Sequence, residues 1–150
     1  MSLTLVGKDT VKLNNRIIND QANGECGKLT FPNDKWIADV GKNGNAILSY
    51  SYKGLLVEFE LRILRGSSDD KFLNGLANDA DNNPAAFSLI TGEIIKNLGD
   101  AAGNQSQDIY FLSGGVIKKG VDSVEIAEGG AEQAVAVYHL FFTKAIRTNN

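Results

Sequence analysis

Apolar and polar side chains alternate over residues 46–64, a pattern that predicts two β-strands. A tight turn at Lys53-Gly54 would pair these strands with each other and would place Tyr50 opposite Val57. In that register one face of the hairpin is wholly apolar, and the other is polar. The predicted polar face carries Ser49, Ser51, Glu58, Glu60 and Arg62.

The spacing of apolar residues changes after Gly66. Phe72, Leu73 and Leu76 recur at helical intervals, which predicts a short α-helix over residues 68–78. Its start is marked by a possible N-cap at Ser67 or Ser68 and by the acidic residues Asp69 and Asp70. A helix of about three turns is marginal by itself, so we expect it to lie on a sheet.

Shorter alternating segments predict further strands in the rest of the chain. We expect a small hairpin turning at Asn14-Asn15, a strand at 28–31, strands at 86–91 and 93–98 separated by a bend at Gly92, and strands at 109–112 and 116–121 separated by a turn at 113–115.

The last predicted strand, residues 134–143, is apolar on both faces. Val137 and Phe141 would lie on one face, and Tyr138 and Leu140 on the other. An antiparallel strand usually has one solvated face, so this strand is expected to be central between two layers or covered by another subunit.

Residues 33–45 form the least regular stretch before the predicted central hairpin. They include Trp36, which is the only tryptophan, followed by Ile37. A long loop with apolar residues is typical of a contact surface, but Trp36 could equally fold back on the core. Both interpretations are open at this point.

The composition favours one mainly β domain over residues 1–150, with one short packed helix. The chain is 43% hydrophobic, which is enough for one core, and its sixteen glycines and two prolines suit short strands joined by turns. A net charge of -3 argues against a protein that binds nucleic acid by neutralising phosphates. The single cysteine excludes an intrachain disulfide, and the first residues lack a signal-peptide pattern, so we expect a cytoplasmic product.

The sequence contains few sets of residues that could form a catalytic site. The only histidine, His139, lies within an apolar strand, where a structural role is the stronger interpretation, and Cys26 sits in a glycine-flanked turn as a spectator thiol. Glu58 and Glu60 would be about 6.8 Å apart, near the spacing of an inverting glycosidase, but alternation on a solvated strand gives the same spacing.

Metal and phosphate sites are not indicated either. Asp79, Asp81 and Asn83 resemble the start of a calcium loop, but Pro84 and Ile90 occupy positions that need glycine and glutamate. One cysteine and one histidine cannot form a structural zinc site. We therefore predict no enzyme activity, no cofactor and no metal, and a structural or binding role.

Several motifs together resemble the tail tube proteins of contractile-tailed bacteriophages, and they span residues 28–142. They are LTFPND followed by GKNGN, then LRILRGSSDDKFLNGL, then YFLSGGVIKKG and the closing EQAVAVYHLFF. Type VI secretion tubes and phage-derived bacteriocins use a similar fold.

The resemblance implies an antiparallel β-sandwich or barrel with one packed α-helix. It also implies a virion structural protein that assembles in the host cytoplasm. Its subunits would form hexameric rings, stacked as a hollow inner tube through which DNA passes without specific binding. The implied partners are other copies of the chain and the sheath, baseplate and tape-measure proteins, and no membrane-spanning segment is expected.

Two sets of site residues follow as hypotheses. Ser49, Ser51, Glu58, Glu60 and Arg62 would line the channel, where carboxylates repel phosphates and Arg62 is the exception. Asp39, Lys42, Asn43 and Asn45 would form the ring-stacking loop.

The alternative function is a small β-sandwich binding module, either carbohydrate-binding or a capsid decoration protein. Exposed aromatic side chains on one strand face would favour sugar binding. We expect that Trp36, Tyr50 and Tyr52 do not share a strand face.

Overall fold

A computed structural model describes residues 2–6, 9–21, 25–99, 102–103, 105–120, 122–124 and 135–149. These residues form eleven strands and one α-helix. The elements are β1 (Ser2–Val6), β2 (Thr10–Leu13), β3 (Arg16–Ile17), β4 (Glu25–Thr30), β5 (Trp36–Val40), β6 (Ala46–Tyr50), a 3-10 helix (Tyr52–Leu55), β7 (Val57–Leu64), α1 (Ser68–Asn82), β8 (Ile90–Gly99), β9 (Gln105–Ile117), β10 (Asp122–Val124) and β11 (Val135–Asn149).

The main sheet is antiparallel and curls into a half-barrel. Its strand order is β1-β4-β7-β11-β9-β8-β2-β3, and β10 pairs with β11 beside this path. Strands β5 and β6 form a separate two-stranded sheet. The predicted fold class, mainly β with one helix, is confirmed.

The core lies on one face of the central strands. Along β7, Val57, Phe59, Leu61 and Ile63 are fully buried, while the side chains between them are partly or fully exposed. Strand β11 lies between β7 and β9 in the sheet, so both of its hydrogen-bonding edges are paired. Tyr138, Leu140 and Phe142 on its core face are buried, whereas His139 and Phe141 on the other face are half-buried. A location between two layers or under another subunit therefore stays a prediction.

The predicted central hairpin over residues 46–64 is wrong. Strand β7 pairs with β4 on one side and β11 on the other, so neither of its edges is left for residues 46–50. Val57 lies opposite Phe142, and Tyr50 lies opposite Trp36. Lys53-Gly54 is not a hairpin turn but part of the 3-10 helix.

The expected irregular loop at 33–45 is also wrong, because residues 36–40 form β5 and pair with β6. Two other boundaries differ from prediction. Residues 86–89 are not a strand, since β8 begins at Ile90, although the expected irregularity at Gly92 is present as a register shift. Strand β9 runs through 113–115 without a turn because β11 pairs along its length, and Gly114 there has a φ of 65°.

Two predicted local motifs are confirmed, namely the turn of the first hairpin and the N-cap of the helix. Asn14 and Asn15 have φ values of 51° and 66°, the left-handed pair that a type I′ turn requires. Ser67 caps α1 by accepting a hydrogen bond from the Asp70 amide at 3.2 Å. The helix extends to Asn82, four residues beyond the predicted end, so the Asp79–Asn83 stretch is mostly helical.

The start of α1 is fixed to the sheet by a buried carboxylate. Asp69 Oδ2 accepts hydrogen bonds from the Asn19 and Asp20 amides, each at 2.8 Å. Its Oδ1 accepts one from Arg16 Nε at 3.0 Å. On the other side of the helix start, the Tyr138 hydroxyl donates to Asp70 Oδ1 at 2.5 Å. These contacts, with Leu73 buried in the core, place α1 against β7, β11 and the segment after β3.

Candidate assembly surfaces

Strands β5 and β6 and the turn between them form an arm, residues 36–50. The two strands pair only with each other, and every residue from 32 to 50 is exposed. Trp36 lies opposite Tyr50, Ala38 opposite Leu48, and Val40 opposite Ala46.

Because alternate residues of a strand share a face, these three pairs lie on the same face. We call it the apolar arm face, and it consists of Trp36, Ala38, Val40, Ala46, Leu48 and Tyr50.

The opposite face of the arm is mixed. It carries Ile37 paired with Ser49, and Asp39 paired with Ile47. The polar residues there make this face compatible with solvent, although Ile37 and Ile47 are 58% and 69% exposed. The two faces therefore differ in composition, and the apolar arm face has no polar side chain.

The base of the arm is tightly held. The Ser51 amide donates to the Lys35 carbonyl at 2.7 Å. A Cβ atom at Gly54 would lie 2.6 Å from the Lys35 Cα. Only glycine therefore fits at position 54 without displacing the Lys35 backbone. These contacts hold the two ends of the arm and the 3-10 helix that follows it together.

Three aromatic rings stack at the arm base. The ring centroids of Trp36 and Tyr50 are 5.1 Å apart, and those of Tyr50 and Tyr52 are 5.2 Å apart, all in edge-on arrangements. Trp36 and Tyr50 share the apolar arm face, which the incorrect hairpin did not predict, whereas Tyr52 lies in the 3-10 helix. The three rings are therefore in contact without sharing one strand face. Trp36 is 59% exposed, which favours the contact-surface interpretation over folding back on the core.

A groove of about 490 Å³ lies where the arm leaves the main sheet. We call it the arm-base groove, and its lining includes Phe31, Asn33, Lys35, Tyr110, Ala145 and Arg147. Arg147 forms a bidentate pair with Asp108, with both N–O distances at 2.9 Å, and the hydrogen bond raises the pKa of Arg147. Burial raises the pKa of the Tyr110 phenol in the lining.

The solvated face of the main sheet carries charges of both signs. We call it the polar sheet face, and it includes Lys28, Glu58, Glu60, Arg62, Lys118 and His139. Lys118 Nζ is 3.4 Å from Glu58 Oε1, and Arg62 Nε is 3.4 Å from Glu60 Oε1. Both carboxylates thus have a cationic neighbour.

The five residues predicted to line a channel are not all on one surface. Glu58, Glu60 and Arg62 lie together on β7, but Ser49 lies on the arm and Ser51 follows it. The expected common face is wrong because residues 46–50 pair with β5 and not with β7.

The four residues predicted to form a stacking loop do lie together at the end of the arm. Asp39 is in the last part of β5, and the turn contains Lys42, Asn43 and Asn45. The turn is closed by the Gly41 amide donating to the Asn45 carbonyl at 2.7 Å, and Gly44 has a φ of 87°. An Asn43-Gly44 turn between two apolar segments was the sequence signal for this hairpin.

The two remaining chemical candidates are Cys26 and His139. Cys26 is buried, with its thiol 3.6 Å from the Leu5 carbonyl oxygen. His139 is half-buried on β11 within the polar sheet face. Among the described residues, no group of three or more His, Cys, Asp or Glu side chains could hold a metal ion. No helix in this part of the chain is long and apolar enough to cross a membrane.

Comparison with solved structures identifies the fold. The chain aligns with a chain from the PVC sheath-tube complex of an extracellular contractile injection system, in the extended state. The TM-score is 0.60 at 13% identity, and the alignment covers 97% of this chain and 91% of the other. The two chains share a fold. The resemblance to tail tube proteins is thereby confirmed at the level of the fold.

A second similar chain comes from the baseplate of the anti-feeding prophage, with a TM-score of 0.46 and 10% identity. That alignment covers 93% of this chain and 90% of the other. No protein-family model and no curated protein sequence matches the chain.

Proposed function

We propose that this chain is a structural, non-enzymatic subunit of the inner tube of a contractile tail, assembled as stacked hexameric rings. The observation that carries the proposal is the shared fold with a chain of a sheath-tube complex, which extends over nearly the full length of both chains. Coverage of both chains also means that the two have similar lengths. The sheath, baseplate and tape-measure proteins would be its further partners, in a particle assembled in the host cytoplasm.

The exposed surface of the arm supports self-assembly. Seven large apolar side chains on or beside the arm are at least 42% exposed: Trp36, Ile37, Val40, Ile47, Leu48, Tyr50 and Tyr52. Four of them lie together on the apolar arm face, and an exposed apolar surface of this kind marks an interaction site. We propose that the tip of the arm, with Asp39, Lys42, Asn43 and Asn45, makes the ring-to-ring contact.

For the channel we propose the polar sheet face with Glu58, Glu60 and Arg62. This face has three cations against two carboxylates, so its net charge does not repel phosphate. Two of the cations are paired with those carboxylates, which leaves fewer free cations to bind DNA through counterion release. DNA would therefore pass the polar sheet face because the charges of that face are paired with each other, and not because the face is acidic.

The assembly proposal is tested by negative-stain electron microscopy of the purified protein, with particle mass measured by light scattering. Hollow rings or tubes of uniform width, with masses in multiples of six chains, are expected. Particles of single-chain mass at all concentrations, including in samples seeded with sheared tubes, would refute self-assembly into a tube.

A carbohydrate-binding module is the second candidate, favoured by the stacked and exposed Trp36, Tyr50 and Tyr52. Sugar rings stack on exposed aromatic faces, so saturable quenching of Trp36 fluorescence by a glycan would support it. The matched test is the loss of that quenching in Tyr52→Ala while the unfolding temperature is unchanged.

A further inference from the structure

We propose that a pocket at the C-terminal end of α1 binds an aliphatic ammonium group, that is, a protonated amine carried on a hydrocarbon chain. We call it the helix-end pocket. It has a volume of about 370 Å³, and its lining includes Leu76, Asp79, Ala80, Asn83, Phe87 and Ile117. None of its lining residues belongs to the arm or to the polar sheet face, so the site does not depend on assembly into a tube.

Hydrogen-bonded turns build the pocket beside the helix. The Asn83 carbonyl accepts hydrogen bonds from the Ala86 and Phe87 amides, at 3.2 and 3.1 Å, so the chain bends back directly after α1. In another part of the lining, the Thr91 amide donates to Asn14 Oδ1 at 3.0 Å, which joins the first hairpin turn to the start of β8. The segments that line the pocket are therefore held in place by the fold.

Part of the lining is apolar and accessible. Leu76, Phe87 and Ile117 are half-buried, and Ala86 is exposed. These side chains retain apolar surface that a hydrocarbon chain can cover. The volume is within the range of about 300–1,000 Å³ that is usual for small-molecule sites.

The acidic end of the helix carries unbalanced negative charge. Asp79 and Asp81 lie in the last turn of α1, where the helix dipole is negative and carboxylates are unfavourable. The last turn contains no basic residue. Among the described residues that line the pocket, none is lysine, arginine or histidine. A cation is thus the group that this end of the pocket lacks.

The polar side chains of the pocket are available to bind one. In the described part of the chain, the side chains of Asp79, Asn82 and Asn83 make no hydrogen bond or ion pair. Lys118, which follows Ile117, does not compensate them, because its Nζ is 3.4 Å from Glu58 on the polar sheet face. Residues three and four apart share a helix face, so these three oxygen-bearing side chains lie side by side. An ammonium group has three donors and no acceptor, which suits such a set.

Other classes of ligand fit less well. An anion would be repelled by Asp79 and by the negative end of the helix. A divalent metal ion needs several anionic ligands, and the described residues contain no group of three or more His, Cys, Asp or Glu side chains that could hold one. An uncharged hydrocarbon would leave the carboxylate uncompensated. The ammonium group can come from a free amine or from a lysine side chain of another protein.

Binding is tested by saturation-transfer NMR, which works for single chains and for large assemblies. The probes are n-hexylammonium, as a free amine, and Nα-acetyl-lysine N-methylamide, as a lysine side chain, with n-hexanol and hexanoate as controls without the cation. We expect n-hexylammonium to bind more tightly than n-hexanol, and hexanoate to bind least. Tighter binding of the lysine derivative than of n-hexylammonium would identify a partner protein as the source. Equal affinities of n-hexylammonium and n-hexanol would overturn the proposal.

Asp79→Asn and Asp81→Asn provide a matched pair of variants. They remove the same charge from the same helix turn, but Asp81 does not line the pocket. Asp79→Asn should weaken n-hexylammonium binding about two- to fivefold, as expected for the loss of an exposed ion pair, whereas Asp81→Asn should change it little. Equal effects of the two variants would show a general attraction of cations to the helix end and would overturn the pocket as the site.

A third variant tests the apolar part. Ala86→Phe places a large side chain at an exposed position of the lining, and urea unfolding checks that the fold is retained. The phenyl ring should occupy the pocket and abolish the binding of n-hexylammonium and of n-hexanol alike. Unchanged affinities in a folded Ala86→Phe protein would contradict binding in the helix-end pocket.

Discussion

Replacement of Asp69 by asparagine should destabilise the fold more than any other isosteric change in α1. The carboxylate is buried and accepts three hydrogen bonds, two from the amides of Asn19 and Asp20 and one from Arg16. Asparagine keeps one acceptor oxygen but turns the other position into a donor. Whichever way the amide is oriented, its NH₂ group faces another donor.

The magnitude follows from these contacts. A hydrogen bond to a charged group contributes about 1.5–3 kcal/mol, and a negative charge at a helix N-terminus about 0.3–1 kcal/mol. We therefore expect Asp69→Asn to lower the free energy of unfolding by about 2–4 kcal/mol. For a chain of this size that corresponds to about 4–16 °C in the unfolding temperature.

The pH dependence of the free energy of unfolding tests the same contact independently. Burial raises the pKa of Asp69, but the hydrogen bonds from Asp20, Asn19 and Arg16 outweigh it, so the pKa lies below its usual value. A carboxylate with a lowered pKa in the fold stabilises the protein above its unfolded pKa, and that stability is lost as the pH falls through the folded pKa. Asp69→Asn should therefore flatten the loss of stability below about pH 4.

The assay is urea unfolding at pH 7 and at several acidic pH values, followed by circular dichroism. Asp79→Asn is the matched control, since Asp79 is an exposed residue of the same helix. Equal stability of the two variants, within about 0.5 kcal/mol, would refute the assignment of Asp69 as the anchor of the helix.

Three further substitutions test other contacts. Burial and the hydrogen bond to Asp70 raise the pKa of Tyr138, so wild-type stability should fall above about pH 10, where the unfolded tyrosine ionises. Tyr138→Phe should reduce that slope in alkaline unfolding experiments, and the rest should come from Tyr110, whose pKa is also raised. Gly54→Ala should cost about 1–3 kcal/mol by calorimetry, because its methyl group would collide with the Lys35 backbone. Leu73→Ala should cost about 2–5 kcal/mol in urea unfolding, since Leu73 is fully buried under α1.

The sequence predicted those features that depend on neighbouring residues. The cap at Ser67, the acidic first turn of α1 and the Asn14-Asn15 turn each involve residues a few positions apart, and all are present.

Strand partners were predicted less well, since alternation determines which side chains share a face but not which strand lies alongside. The segment 46–50 has a pattern that suits pairing with either 36–40 or 57–64. The outcome depends on β4 and β11, which occupy both edges of β7 and come from distant parts of the sequence. The channel-face hypothesis was wrong for Ser49 and Ser51 because their placement depended on this pairing. The placement of Glu58, Glu60 and Arg62 on one face depended only on the alternation along β7.

The contacts among Trp36, Tyr50 and Tyr52 were not predicted for the same reason. Pairing of Trp36 with Tyr50 follows once residues 42–44 are taken as a three-residue turn that is closed between Gly41 and Asn45. The groove at the arm base could not have been predicted, because Phe31, Tyr110 and Ala145 are brought together only by the curl of the main sheet.

The most direct test of the account is a cryo-electron-microscopy reconstruction of the assembled protein. It should show a hollow tube of stacked six-membered rings, with the apolar arm face covered by a neighbouring copy and Glu58, Glu60 and Arg62 facing the channel. A solid or irregular aggregate, or an ordered assembly in which the arms extend uncovered into solvent, would contradict the proposal that this chain builds a tube through its arm.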